Sequence, residues 1–139
     1  MKTVDVLSFR NIYIQDSTCI FCQETTENLF HLMFECDFSF KVLTNLIPSF
    51  QNFFLRPTIF QAIDHIGGLS VADNMKHSLL LILNATVYFI WLERNSRRFK
   101  SNTVCATTLS SKISRAIYLR ITRWKNGEYL KDKLNMKYR

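Results

Sequence analysis

Four residues in one short window could hold a metal ion: Cys19, Cys22, His31 and Cys36, spaced C-x2-C-x8-H-x4-C. Two cysteines separated by two residues can point into one tetrahedron from a tight loop, and zinc prefers thiolate and imidazole donors. The step from His31 to Cys36 matches the spacing of second ligand pairs. On an ideal helix five residues turn through about 500°, so these two side chains would not share a face. Cys36 is therefore expected at a helix end or just beyond it, at a jog near Cys36 and Asp37. Four protein donors leave no open position for a catalytic water, which makes one structural Zn2+ the expectation. Taken singly, each residue has a plainer role. A free cysteine is often a small buried hydrophobe, and a histidine among Phe and Leu is often a hydrogen-bonded core residue. The four together, in this order, favour a metal. A nucleophilic Cys–His pair would need a pocket and a third orienting group, and no sequence signal supplies them. Cys105 stands apart at the start of a helix and is assigned to packing; His65 and His77 lack partners at metal spacing and are read as structural.

The elements that must position these donors read as mainly α, with a small zinc-stapled N-terminal loop and a long buried central helix. Gly occurs three times and Pro twice, so turns are few. Residues 11–14 could form an extended lead-in, and residues 15–18 are turn-like. Thr26 can cap a helix starting at Glu27. Residues 28–47 read as one or two helices stopped by Pro48. Thr58 and Gln61 have capping-box spacing, and Gly67-Gly68 ends that helix. Ser70 and Asp73 form a weaker pair before a long apolar helix over residues 73–100, read as buried because it is apolar nearly all round. A last long helix is expected over residues 104–125, with Ile113, Ile117, Ile121 and Trp124 on one side. Lys112, Arg115 and Arg123 lie within an arc of about 80°, with Arg120 at its edge. Asn126-Gly127 is a turn, and residues 128–139 read as a short, weakly held helix.

The composition is globular, with 47% hydrophobic and 21% charged residues in a chain of 139. The net charge of +7 hides a split. Residues 1–93 carry five Lys/Arg against nine Asp/Glu, while residues 94–139 carry thirteen against two, giving −4 and +11. Such a split points to a polyanionic partner, nucleic acid before membrane surface. The longest apolar stretch, residues 79–92, is shorter than the roughly 20 residues that span a bilayer, so no membrane partner is expected. No secretory signal is evident, which suggests a reducing, intracellular setting where clustered cysteines ligate metal rather than form disulfides.

The order of these features resembles the C-terminal zinc-binding region of reverse transcriptases from non-LTR (LINE-type) retrotransposons. That pattern has an extended lead-in, C-x2-C, an acidic Thr/Glu stretch, a His-Leu-Phe-Phe-x-Cys motif and an aromatic helix. This chain reads Cys19-Ile-Phe-Cys22, Glu24-Thr-Thr-Glu27, His31-Leu-Met-Phe-Glu-Cys36 and Asp37-Phe-Ser-Phe40. The family also carries Trp-x-Glu-Arg-Asn-x-Arg-x-Phe, here Trp91-Leu-Glu93-Arg94-Asn95-Ser-Arg97-Arg98-Phe99. A plainer reading makes Glu93 and Arg97 an i,i+4 helix pair and Trp91 a core residue. The resemblance covers roughly residues 3–100. It implies a reverse-transcriptase-type zinc-binding domain over residues 1–100, with residues 101–139 a basic helical extension. The chain starts just after an apolar Trp-bearing helix that the family usually has, so it is expected to be a fragment of a larger polyprotein.

No Asp-Asp occurs, and no carboxylate cluster suits two-metal phosphoryl chemistry or a ribonuclease H core, so the chain is expected not to be an enzyme and to have no small-molecule substrate. The expected function is a non-catalytic zinc module that binds RNA or DNA. Its phosphate contacts would be Arg94, Arg97, Arg98, Lys100, Lys112, Arg115, Arg120 and Arg123. Trp124, Tyr118 and Tyr129 could stack on bases or pack in the core. Nuclear location would follow from the family's task. The alternative is a protein-interaction scaffold that packs on a reverse transcriptase core. Its support is the aromatic excess at Phe34, Phe38, Phe40, Phe50, Phe53 and Phe54.

Overall fold

Helices carry most of the chain, and no strand forms among the described residues. The computed structural model describes residues 1–13 and 16–134. The lead-in at Ile14 and Gln15 and the end of the tail at residues 135–139 lie outside the described residues. In chain order the helices are α1 (Val4–Phe9), α2 (Asp37–Leu46), α3 (Ile59–Gly67), α4 (Asp73–Phe99), α5 (Ala106–Ile121) and α6 (Gly127–Lys133). A kinked helical turn, His31–Glu35, precedes α2, and a 3-10 turn, Pro48–Asn52, follows it.

The capping box is present: the Gln61 N–H donates to Thr58 Oγ1 at 3.2 Å, and the Thr58 N–H donates to Gln61 Oε1 at 2.9 Å. Helix α3 then ends at the expected glycines. The long helix α4 is central, packing on α2, α3 and α5. Its buried positions, Leu79, Ile82, Leu83, Thr86, Ile90, Glu93 and Arg94, recur at three- and four-residue steps. It is not enclosed, however. Tyr88, Leu92 and Phe99 face solvent, so the apolar surround read from the sequence is buried on one side only. By length and composition α4 could cross a membrane, correcting the shorter stretch counted in the sequence. In this fold its buried side is instead shared with three other helices.

Helix α5 packs on α2 and α4, and its Leu109, Ile113, Ile117 and Ile121 belong to the same core as Leu32, Val42, Leu83 and Ile90. One core therefore includes residues from both sides of position 100. Helix α6 closes onto the end of α5 through Gly127, where a Cβ would lie 2.3 Å from the Ile121 carbonyl oxygen; only glycine fits there.

Two local readings are revised. Residues 4–9 form α1, whose short mixed sequence carries little helical signal. Thr26 does not cap a helix: it pairs with Thr18 in an isolated antiparallel bridge, and the next helical turn begins later, with the Asn28 side chain accepting from the His31 N–H at 2.9 Å.

Candidate metal centre

The two cysteines of C-x2-C sit on a tight knuckle held by backbone hydrogen bonds. The Cys19 N–H donates to the Thr25 carbonyl at 2.7 Å, and the Gln23 N–H donates to the Cys19 carbonyl at 2.9 Å. Gln23 takes a left-handed φ of 58°, which turns the chain back. The Thr18–Thr26 bridge closes the base of the loop.

The second half of the site comes from the jog expected near Cys36. The helical turn breaks at Met33 and Phe34, and Phe34 has φ 84°. A left-handed bulky residue is strained by about 1–2 kcal/mol, so the surroundings must hold it. They do so by burying the Phe34 ring completely and by a hydrogen bond from its N–H to Ser39 Oγ at 2.9 Å. Ser39 in turn donates to the Cys36 carbonyl at 3.1 Å. Cys36 is extended, at φ −70° and ψ 139°, and stands as the N-cap of α2. The kink brings His31 and Cys36 together where a straight helix would have kept them apart.

One donor atom from each of Cys19, Cys22, His31 and Cys36 lies within 4.8 Å of the other three. Cys19 Sγ and Cys36 Sγ are 3.9 Å apart, and Cys22 Sγ is 3.2 Å from His31 Nε2. A tetrahedron with zinc–sulfur bonds of about 2.3 Å and zinc–nitrogen bonds of about 2.0 Å has edges of roughly 3.8 Å between sulfurs and 3.5 Å between sulfur and nitrogen. The observed edges are close to both. They are far from the roughly 2.05 Å of a disulfide, and the thiols are free. The donors fit a single metal ion.

The electrostatics favour the ligating thiolate at Cys19 and Cys22 and the proton-bearing forms at Cys36 and His31. Hydrogen bonding from the Cys36 thiol pulls the Cys19 pKa down to about 5 against its burial, helped by the backbone N–H groups of Cys22 and Phe21. The same interaction holds the Cys36 thiol well above its ordinary value. Burial pushes Cys22 up, but the backbone at Glu24 and the His31 ring outweigh it, and its pKa falls. Burial works against a charged His31, yet Cys22 and Cys19 raise its pKa. The four groups share protons as one cluster, which metal binding would release.

Two residues around the donors were not singled out in the sequence. Glu35 Oε1 lies 3.5 Å from His31 Nδ1, on the ring edge opposite the Cys22 contact. Thr25 Oγ1 is 3.3 Å from the same nitrogen. A carboxylate behind a metal-bound histidine fixes its tautomer and orientation. Glu35 follows His31 by four residues, and that spacing was the available signal. Because Glu35 is exposed, Glu35→Ala should weaken metal affinity by about tenfold, the low end for such partners. Competition with a chromophoric chelator checks this; unchanged affinity would remove Glu35 from the site.

The larger omission was Glu27. Its side chain is 0% exposed and takes five donors: the Val4 N–H at 3.0 Å, Arg94 Nη2 at 2.7 Å and Nε at 3.0 Å, and Arg98 Nη2 at 3.0 Å and Nε at 3.3 Å. Arg98 also donates to the Thr18 carbonyl at 2.7 Å and the Asp16 carbonyl at 3.2 Å. Arg97 pairs with Glu93 at 2.8 Å, as the i,i+4 reading expected, and lies over Phe21 and Phe38, whose rings stack at 4.4 Å. The end of α4 thus clamps the metal loop.

This placement revises part of the phosphate-contact set. Arg94 is 3% exposed, and the guanidinium groups of Arg94, Arg97 and Arg98 are committed to Glu27, Glu93 and loop carbonyls. The charge run at residues 94–98 looked basic because its main counterion, Glu27, lies 67 residues from Arg94 in the chain. Lys100, Lys112, Arg115, Arg120 and Arg123 are exposed. Lys100 and Lys112 line one cleft. Tyr118 lies under the Lys131 ammonium, 4.4 Å from its ring centre; Trp124 packs against the core; and Tyr129 is exposed.

Cys105 does not pack in the core as assigned. It is exposed as the N-cap of α5, with its sulfur 3.2 Å from Thr108 Oγ1. His65 is structural, set between the Phe50 and Phe53 rings with Nε2 3.2 Å from Ser49 Oγ. His77 is exposed on α4.

No protein-family model, curated protein sequence or solved structure matches this chain. The metal-binding arrangement therefore rests on its own geometry.

Proposed function

We propose that this protein is a non-catalytic structural zinc module whose basic helical half binds nucleic acid, as the C-terminal region of a LINE-type reverse transcriptase would. The observation that carries the first part is the closure of three thiols and one imidazole around a common point. Among metals that accept such donors, zinc suits a closed Cys3His set, and four protein ligands give it a structural role. Retrotransposon origin rests on the two motifs, of which the second contributes the arginines that clamp the metal loop. A thiolate-held metal and a nucleic-acid partner both suit the cell interior, including the nucleus.

The binding surface is the exposed side of α5. Lys112 and Arg115 share its outward arc, Arg120 flanks it, Arg123 follows in the turn after α5, which ends at Ile121 rather than at residue 125 as expected, and Lys100 joins it across the cleft. Cations on one face suffice for phosphate contact without sequence readout. Titration of labelled RNA and DNA at several salt concentrations tests this. Affinity should fall steeply with salt, and Arg120→Ala with Arg123→Ala should reduce the log–log slope by about 1.4–1.8, at 0.7–0.9 per lost contact. Salt-independent binding, or no binding at low salt, would refute it.

A second reading has one observation in its favour. Phe54 is 100% exposed, Leu55 follows it, and the outward side of α3 carries Phe60 and Ile63. Such a surface suits a scaffold that packs on another protein, a reverse transcriptase core in the family reading. Concentration-dependent self-association without nucleic-acid binding would favour it.

A further inference from the structure

The last turns of α4 and the first turns of α5 enclose an open cleft of about 510 Å³. Phe89, Leu92, Phe99 and Leu109 form its apolar lining, and Lys100 and Lys112 also line it. Phe99 is 72% exposed, an unusual position for a phenyl ring at the end of a core helix. Glu93, the one carboxylate lining the cleft among the described residues, is already engaged by Arg97 and by the Val104 N–H at 3.1 Å. Neither lysine makes an ion pair among the described residues.

We infer that this cleft takes an unpaired base of single-stranded nucleic acid, stacked on Phe99, with the flanking phosphates on Lys100 and Lys112. The inference rests on the nucleic-acid reading above and adds the strand form and the site. The occupant must have a flat apolar body and negative charge on either side, because the cleft pairs an aromatic wall with two cations that have no ion-pair partner among the described residues. A base with its phosphates has that composition. A duplex does not, because its base faces are stacked inside and only its phosphates face outward. The volume falls within the range of small-ligand pockets. The cleft also reaches the exposed side of α5 at Lys112, one helical turn from Arg115.

The test is fluorescence anisotropy on the full zinc-loaded chain. The probes are a labelled 20-nucleotide single strand and the duplex of the same length. Wild type should prefer the single strand. Phe99→Ala should weaken single-strand binding by about 5- to 150-fold with its salt slope intact, since one stacking contact is lost. Lys100→Ala with Lys112→Ala should lower the slope by about 1.4 for a single strand. Because Phe99, Lys100 and Lys112 are exposed, these variants should keep the wild-type circular dichroism. Nucleic-acid binding that survives Phe99→Ala undiminished would overturn the cleft while leaving the broader reading in place. No binding of either probe by wild type at low salt would remove both. Dimerisation of wild type that Phe99→Ala abolishes would assign the cleft to a second copy of the chain and overturn the inference.

Discussion

Stripping the metal with a chelator should destabilise this protein by about 2–8 kcal/mol relative to protein held at roughly 1 μM free zinc. The figure follows from the apparent binding energy of structural zinc sites, about 10–16 kcal/mol, less the roughly 8.2 kcal/mol that corresponds to micromolar ligand. A chain of this size should then lose at least about 6 °C from its thermal midpoint. The cause is local. Without a metal, Cys19, Cys22, His31 and Cys36 have only one another to hold the knuckle against the start of α2. The strained Phe34 turn lies between the two ligands His31 and Cys36, and the Thr18–Thr26 bridge brackets the other two. Helices α4 and α5 also pack on each other within the one core, so loss of helical signal should be partial and greatest in residues 1–46, which carry the four donors. Hydrogen exchange resolves this: protection around α2 should drop before that of α4. A thermal midpoint unmoved by chelation would show that the four donors hold no metal of consequence.

Glu27→Ala should cost about 3–5 kcal/mol, the loss expected when one member of a buried ion pair is removed and the other charge is left unpaired. Two guanidinium groups are affected, since Arg94 and Arg98 both donate to this carboxylate. The metal loop should loosen as well, because Arg98 reaches it only while oriented by Glu27. The pH dependence has a defined sign. Burial alone would raise the Glu27 pKa, but hydrogen bonds and charge from Arg94, followed by Arg98, hold it below its ordinary 4.5. A carboxylate whose pKa is depressed by folding contributes stability above its unfolded value and loses that contribution as pH falls through the folded value. The stability gap between wild type and Glu27→Gln should therefore be full above pH 4.5 and shrink below it. Denaturant unfolding across that range measures the gap; a gap independent of pH would mean that the carboxylate charge is not what holds the clamp.

What could be read from the sequence depended on distance along the chain. The four donors lie close together in sequence, so their spacing carried the site, and the geometric conflict between His31 and Cys36 called for a jog, expected at Cys36 and Asp37 and formed slightly earlier, at Met33 and Phe34. The Thr58–Gln61 cap and the course of α4 are equally local. The means of making the kink was hidden, because a left-handed phenylalanine is intrinsically disfavoured and becomes tolerable only with Ser39 and the core around it. Glu27 read as an ordinary first-turn charge, and Arg94 and Arg98 as part of a basic face. Their pairing exists only once α4 crosses the metal loop. Net charge by segment consequently overstated the surface available for phosphate. The basic half keeps its exposed cations on α5 and at the end of α4, where Lys100 and Lys112 flank the aromatic cleft.

The most direct test is the metal content of the purified protein by elemental analysis, with Cys36→Ala alongside. One zinc per chain in wild type and none retained in Cys36→Ala would match the closed Cys3His site. Well-folded wild-type protein carrying no zinc would contradict it.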